Sequence, residues 1–361
     1  MLDEVKVFLK YFEKAYQKRD INDLEEFMEI FFMKDESYMF GTSTQEIFPD
    51  YNMAKKCVKN DWLYWGLLSI HHNQVFTMPF GDDLLVHVPG SVEYTFQDQD
   101  EVDENFVELM QILNDEANME DASHLSYQHH EMNYILDHYL SRRKNEKRTN
   151  QFPLSMTFLL KRINDAYKIA ALSFDVPTLD DYPDVVIHSY TPYLEHFNRD
   201  KETLIKHGQK LSINPFELKL SDDFIFFDTN GEHFRDKNRL DQRLNQFEHI
   251  DLLDYALVHE ANDYKSFMTI GKCLMKQDER TLRQTLKKRI SDILKSQIGH
   301  ESKLFKIRRL ITLTDKMIAL GDQVIYPIKV MGVITKKEHS NQLTMLKISY
   351  PMDIILEDKY I

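Results

Sequence analysis

Two proline-bounded hairpin sequences recur at a fixed spacing, and this repeat constrains the fold more than any other feature of the chain. The first runs from Phe152-Pro153 to Arg162, breaks at polar residues, resumes at Tyr167 and ends at Pro177. The second runs from Tyr326-Pro327 to Lys336, breaks, resumes at Gln342 and ends at Pro351. Pro153 and Pro327 are 174 positions apart, as are Pro177 and Pro351. At that offset Phe152 meets Tyr326, Ile169 meets Leu343, Leu172 meets Leu346 and Phe174 meets Ile348. Each copy reads as two β-rich runs joined by a short polar turn. Proline is confined to the strand ends, where a missing N–H is tolerated.

A second match lies upstream. Tyr38-Met39-Phe40-Gly41-Thr42 with Glu46 and Phe48 parallels Ile225-Phe226-Phe227-Asp228-Thr229 with Glu232 and Phe234, the second copy being one residue shorter. The repeat predicts two domains, residues 1–180 and 183–361, joined by a proline-bearing connector near 177–183. In the first, Val7, Phe8, Tyr11, Phe12 and Ala15 recur at helical spacing over residues 5–18, and Asp20 can cap a following helix. A helix over 53–63, strands over 67–78 and 84–96, and helices over 104–113 and 127–141 precede the hairpin. The second half repeats the order: helix 193–211, strand 216–227, helix 236–247, strands 252–259 and 264–275, then helices through 278–320. Helices followed by a mostly antiparallel sheet give an α+β class.

Composition narrows the partners. The formal net charge of −14 opposes nucleic acid and anionic membrane as main partners, because both repel it. No run of about 18 apolar residues exists to span a bilayer, and residues 1–5 show no signal-peptide pattern. Cys57 and Cys273, the two cysteines, lie one in each half and build neither a disulfide framework nor a cysteine zinc site. A cytosolic protein is expected, and the low glycine content with abundant Lys, Asn, Ile and Asp fits an AT-rich bacterial source. No phosphate-cradling glycine loop or nucleophile elbow is present, so no cofactor is expected.

Phe40-Gly41-Thr42 with Glu46, followed by Asn60-Asp61-Trp62-Leu63-Tyr64-Trp65-Gly66, resembles the opening of SnoaL-like members of the nuclear transport factor 2-like superfamily. The Phe152-Pro153 hairpin ending at Leu172-Ser173-Phe174 resembles that family's last two strands. The resemblance covers roughly residues 1–180. Over 183–361 it rests on the repeat, since Asp228 stands in place of Gly41 and no Trp follows. It implies two cone-shaped (cystatin-like) modules, each a curved, mostly antiparallel sheet packed on helices around an open pocket. It further implies that such modules pair through their sheets, here as an internal pseudo-dimer within one monomeric chain.

Candidate site residues follow from residue chemistry. Asp61, and His71 if it points inward, are the candidate bases; Trp62, Trp65, Tyr38, Tyr64 and Tyr94 are the candidate pocket lining. Trp62 and Trp65 at i, i+3 equally suit a core-facing helix stripe. Glu46 and Glu232, matched between the copies, fit a fold constraint such as a capped turn. His124, His129, His130 and His138 lack the i, i+4 spacing of helical metal ligands, and no metal site is expected. The leading expectation is a non-catalytic module binding a small apolar molecule or a protein. The alternative is an isomerase, cyclase or dehydratase acting on a hydrophobic carbonyl compound, with Asp61 or His71 as base and Tyr38, Tyr64 or Tyr94 as donor.

Overall fold

The computed structural model describes residues 2–43, 46–96, 148–176, 191–229, 231–245, 247–276, 278–297 and, with short interruptions, 307–350. The connector at 177–183, the helices expected over 104–141 with their four histidines, and most of the helix expected after 297 lie outside the described residues.

The first module comprises α1 (Leu2–Lys18), α2 (Leu24–Phe31), β1 (Tyr38–Phe40), β2 (Ile47–Phe48), α3 (Tyr51–Tyr64), β3 (Leu67–Ile70), β4 (Phe76–Phe80), β5 (Asp83–Phe96), β6 (Arg148–Ile163) and β7 (Ala166–Asp175). Its strands lie in the order β2-β1-β7-β6-β5-β3, with β4 on the remaining length of β5. The second module comprises α4 (Thr191–His207), β8 (Gln209–Lys210), β9 (Lys219–Phe227), β10 (His233–Phe234), α5 (Lys237–Leu244), β11 (Phe247–Leu252), β12 (Tyr255–Glu260), β13 (Tyr264–Lys276), α6 (Glu279–Lys295), β14 (Gln323–Lys337) and β15 (Ser340–Ser349). Its order is β10-β9-β15-β14-β13-β12-β8, with β11 on the remaining length of β13. The α+β class expected from the sequence is the observed one.

The correspondence extends to single residues. Pairing slips by one residue between Leu159 and Leu160, leaving Ala170 as the bulge in β7. It slips again between Val333 and Ile334, leaving Thr344 as the bulge in β15. Ala170 and Thr344 are 174 positions apart. The only parallel pairings among the named strands also correspond, β1 with β7 through Tyr38 and Ala171, β9 with β15 through Ile225 and Met345. Gly90 and Gly271 occupy matching places on β5 and β13. A Cβ at either would collide with the backbone carbonyl of the outer strand, Ser69 in one module and Asp251 in the other.

Some local expectations give way. The 67–78 strand is two strands split by a 3₁₀ turn at His72–Gln74. The 236–247 helix stops at Leu244, and Phe247 opens β11 instead. The buried stripe of α1 is Val5, Leu9, Phe12 and Tyr16, while Val7 and Tyr11 face outward. Its apolar residues wrap so far around the helix that period alone does not select the buried face.

Among the described residues three large apolar layers form, beside a smaller cluster of Leu282 and Leu310 with Leu286, Ile293 and Ile318. In the first, α1, α2 and α3 cover one face of the first sheet. Phe12, Tyr16, Phe27, Phe31, Trp62 and Phe158 pack there as an aromatic cluster, each ring contributing on the order of 2 kcal/mol by burial. The second layer lies between the two sheets, where Phe40, Leu85 and Leu159 meet Phe227, Met268 and Val333. The third covers the far face of the second sheet around Phe226, Phe267 and Ile328. Helix α4 packs against β12, β13 and the first module's β2, and its Leu204 joins the middle layer. Among the described residues no helix is long and apolar enough to cross a membrane.

Candidate functional site

The polar group of most chemical interest in the first module forms where the ends of α1 and α3 meet. Asp50 caps α3, its side chain accepting from the Met53 N–H at 2.9 Å. The i, i+4 spacing then sets Cys57 and Asp61 on one face. Tyr16, at the end of the buried α1 stripe, donates its hydroxyl to Asp61 Oδ2 at 3.0 Å. The Cys57 thiol lies 3.9 Å from Asp61 Oδ1.

Arg19 ties the two helix ends together. It adopts the left-handed region (φ 52°), closing α1 through its N–H to the Ala15 carbonyl. Its guanidinium donates to the carbonyls of Trp65 and Gly66, just past α3, and its Nε to the Tyr16 carbonyl at 3.1 Å. A cation beside two helix C-termini is the favoured sign.

Glu46 enters from the β1–β2 loop. Its backbone carbonyl accepts from the Gly41 N–H, and Oε2 accepts from the Ser43 N–H at 2.9 Å. A side chain at residue 41 would collide with the Glu46 carboxylate, so glycine is what lets it fold inward. Burial and then the Glu46 charge push Asp61 up to about 8, against the pull of Tyr16, Arg19 and Cys57. Burial and then Asp61 hold the Tyr16 phenol well above its usual range. Asp61 is thereby biased toward its protonated form, in which it can donate a hydrogen bond.

The second module closes the same position. Asp236 caps α5 as Asp50 caps α3, so Arg243 corresponds to Cys57, and Asp228 to Gly41. Arg243 Nε donates to Asp228 Oδ1 at 2.8 Å and its terminal nitrogen to Thr229 Oγ1 at 2.6 Å, all three residues being buried. Phe247 follows the end of α5, opens β11 and is buried in the third layer.

The sequence-derived candidates separate. Asp61 lies in this cluster. Trp62 is buried in the aromatic core against Phe27, and half-buried Trp65 sets its ring 5.5 Å from Phe174. Tyr38 lies between the modules and shares a 3.2 Å hydrogen bond with Ser266 Oγ. His71 is exposed, with its backbone N–H on the Pro89 carbonyl. The side chains of Tyr64 and Tyr94 lie outside the described residues. Sequence reasoning missed Tyr16, Cys57 and Arg19. The signal for Tyr16 was the Val5, Leu9, Phe12, Tyr16 series, and for Cys57 its i, i+4 relation to Asp61. Among the described residues no three or more His, Cys, Asp and Glu are grouped to hold a metal ion.

No family model and no curated protein matches the chain. Solved structures do. The chain is similar to a nuclear transport factor 2-like superfamily protein from Salmonella enterica, at 8% identity and TM-score 0.31, over 49% of this chain and 92% of that one. It is similar to a nuclear transport factor 2-like protein of unknown function from Pseudomonas putida, at 11% identity and TM-score 0.29, over 49% and 87%. A third is a cystatin-like protein of unknown function from Nostoc punctiforme, at 10% identity and TM-score 0.28, over 48% and 88%.

Proposed function

We propose that the chain is a non-catalytic binding protein, built as two copies of one module packed as an internal pseudo-dimer. The first module holds a small apolar molecule that presents an oxygen to Asp61, and the second is its attached structural partner. One contrast carries this reading. The first module gathers Asp61, Tyr16 and Glu46 at its helix ends, whereas the second seals the corresponding place with the Arg243–Asp228 ion pair. A carboxyl held uncharged beside apolar rings suits an uncharged, acceptor-bearing ligand. A bacterial, cytosolic setting fits the composition and fits Cys57 and Cys273, both buried and neither in a disulfide.

Native mass spectrometry of freshly purified protein tests it. A mass excess that vanishes on denaturation, and that is lost in D61N, supports the reading; an excess unaffected by D61N overturns the assigned site.

A second reading has its own support, because an acid near pKa 8 hydrogen-bonded to a phenol is equipped for proton transfer. It makes the first module an isomerase, cyclase or dehydratase of hydrophobic carbonyl compounds. Deuterium uptake α to the carbonyl of cyclic ketones in D2O, present in wild type and abolished in D61N, would favour this reading over the first.

A further inference from the structure

The polar groups buried between the two sheets are distributed unequally. Asp175 of β7 accepts from Ser173 Oγ at 2.7 Å, from Ser349 Oγ at 2.5 Å and from Lys347 Nζ, with Lys329 Nζ at 3.9 Å. Lys347 also donates to Thr157 Oγ1 at 2.7 Å, which bonds His87 Nδ1 at 2.9 Å. Lys329 donates to the Gly41 carbonyl and reaches the Phe174 carbonyl at 3.5 Å. Asp175, Lys329, Lys347, Ser349, Thr157 and His87 are all buried.

The strand correspondence gives each residue a counterpart. Ser349 is the counterpart of Asp175, Lys347 of Ser173, and Lys329 of Ser155, each 174 positions on. Asp175 thus meets its own counterpart across the interface. Asp83 does too: Tyr264, its equivalent at the start of β13, donates its hydroxyl to Asp83 Oδ2 at 2.7 Å. The two modules are therefore related by a pseudo-twofold, with these two pairs along it. Among the described residues, these acids lie in the first module and these buried lysines in the second.

Pairing like with like would break this balance. Two first-module faces would set Asp175 against Asp175 and Asp83 against Asp83, with neither lysine present. Two second-module faces would bury four lysine ammonium groups without Asp175. Burying charge without a partner is costly, and like charges in a low-dielectric layer reject one another.

We infer that the two sheet faces form a heterotypic pair, in which Asp175 with Lys347 and Lys329 specifies first-to-second pairing and bars the chain from symmetric assembly through this surface. The apolar layer supplies adhesion to any such face, and the charges choose the partner.

The test starts from the folded full chain with a protease site inserted in the 178–182 connector, cleaved after folding. Cleaved protein grown with and without ¹⁵N is mixed and followed by native mass spectrometry. The expected result is a single first–second complex that exchanges label only heterotypically. A D83N/D175S/K329S/K347S chain treated alike is expected to yield first–first and second–second pairs as well. Homotypic pairs from the unmodified chain would overturn the inference, as would halves that separate into monomers, or a neutralised chain that still pairs only heterotypically. Should the neutralised chain fail to fold, a double-mutant cycle on the intact chain decides. D175S and K329S/K347S each lower the thermal midpoint, while D175S/K329S/K347S recovers most of the loss; additive losses would overturn the inference.

Discussion

Gly332 sits directly opposite Phe267 on neighbouring strands, its missing side chain leaving the place that the Phe267 ring occupies. The corresponding pair in the first module is Phe158 opposite Val86. The same cross-strand volume is filled from the opposite strand. This keeps the layer packed while moving the ring away from where α1 meets it in the first module, through Phe12. Packing to near-crystalline density makes such a trade strict. G332A should therefore destabilise by about 1–3 kcal/mol through overpacking. F267V/G332F, which installs the first module's pair, should lose less than either single change. Chemical denaturation of the four proteins checks this, and a double variant as unstable as the sum of the singles would count against the compensation.

The Asp61 carboxyl gives a pH dependence of definite sign. Its folded value of about 8 exceeds the ordinary 3.8, so the folded state holds the proton over the interval between them. The associated stability is complete below the lower value and is lost as pH rises through the upper one. A tenfold change in proton affinity is worth about 1.4 kcal/mol. Discounted for the side chain's partial exposure, the loss between pH 5 and 9 is on the order of 2 kcal/mol. D61N should remove it, and E46Q should lower the Asp61 pKa and flatten the slope. Urea unfolding at the two pH values, with carboxyl ¹³C titration, measures both effects; equal slopes in wild type and D61N would refute the assignment.

The Arg243–Asp228 pair is a closed structural element of the second module. R243M should cost about 3–5 kcal/mol, because it removes the guanidinium that faces the buried Asp228 carboxylate. D228G/R243C, which restores the residues found at Gly41 and Cys57, should recover most of that loss. Thermal unfolding by calorimetry reads the comparison, and no recovery in the double variant would contradict it.

Gly90 and Gly271 are required by the outer strands, not by backbone dihedrals. G90A and G271A should each destabilise by more than about 1 kcal/mol, since a backbone carbonyl cannot turn aside as a side chain can. G81A should behave differently. Gly81 lies in open space at φ 60°, where only the left-handed strain of about 1 kcal/mol applies. Hydrogen exchange at the β3–β5 and β11–β13 pairings would separate the cases, because local opening is expected in G90A and G271A and not in G81A.

Much of the fold was legible because its signals are local. Prolines at 153 and 327 and alternating apolar residues marked hairpins without knowledge of their neighbours. Asp50 marks the start of α3 through its bond to Met53, while Asp20 caps the 3₁₀ turn Ile21–Asp23 that leads into α2. The site was legible only in part. Asp61 stood out beside two tryptophans, yet Tyr16, 45 residues away, meets it only because α1 crosses the end of α3. Tyr38 shows the complementary difficulty. Both faces of its strand are apolar, so alternation does not say which face meets helices and which meets the other sheet.

The sequence by itself determined the two recurring hairpins and most of the strands, because these follow from short-range periodicity. The prolines expected at strand ends lie inside β6 and β14 instead, Pro153 opposite Ser91 and Pro327 opposite Lys272. Only the tertiary structure decided that Asp175 meets Lys347, 172 residues on, and that Glu46 raises the carboxyl of Asp61. Both effects depend on distance and on the exclusion of water, and neither quantity exists until the sheets and helices have packed.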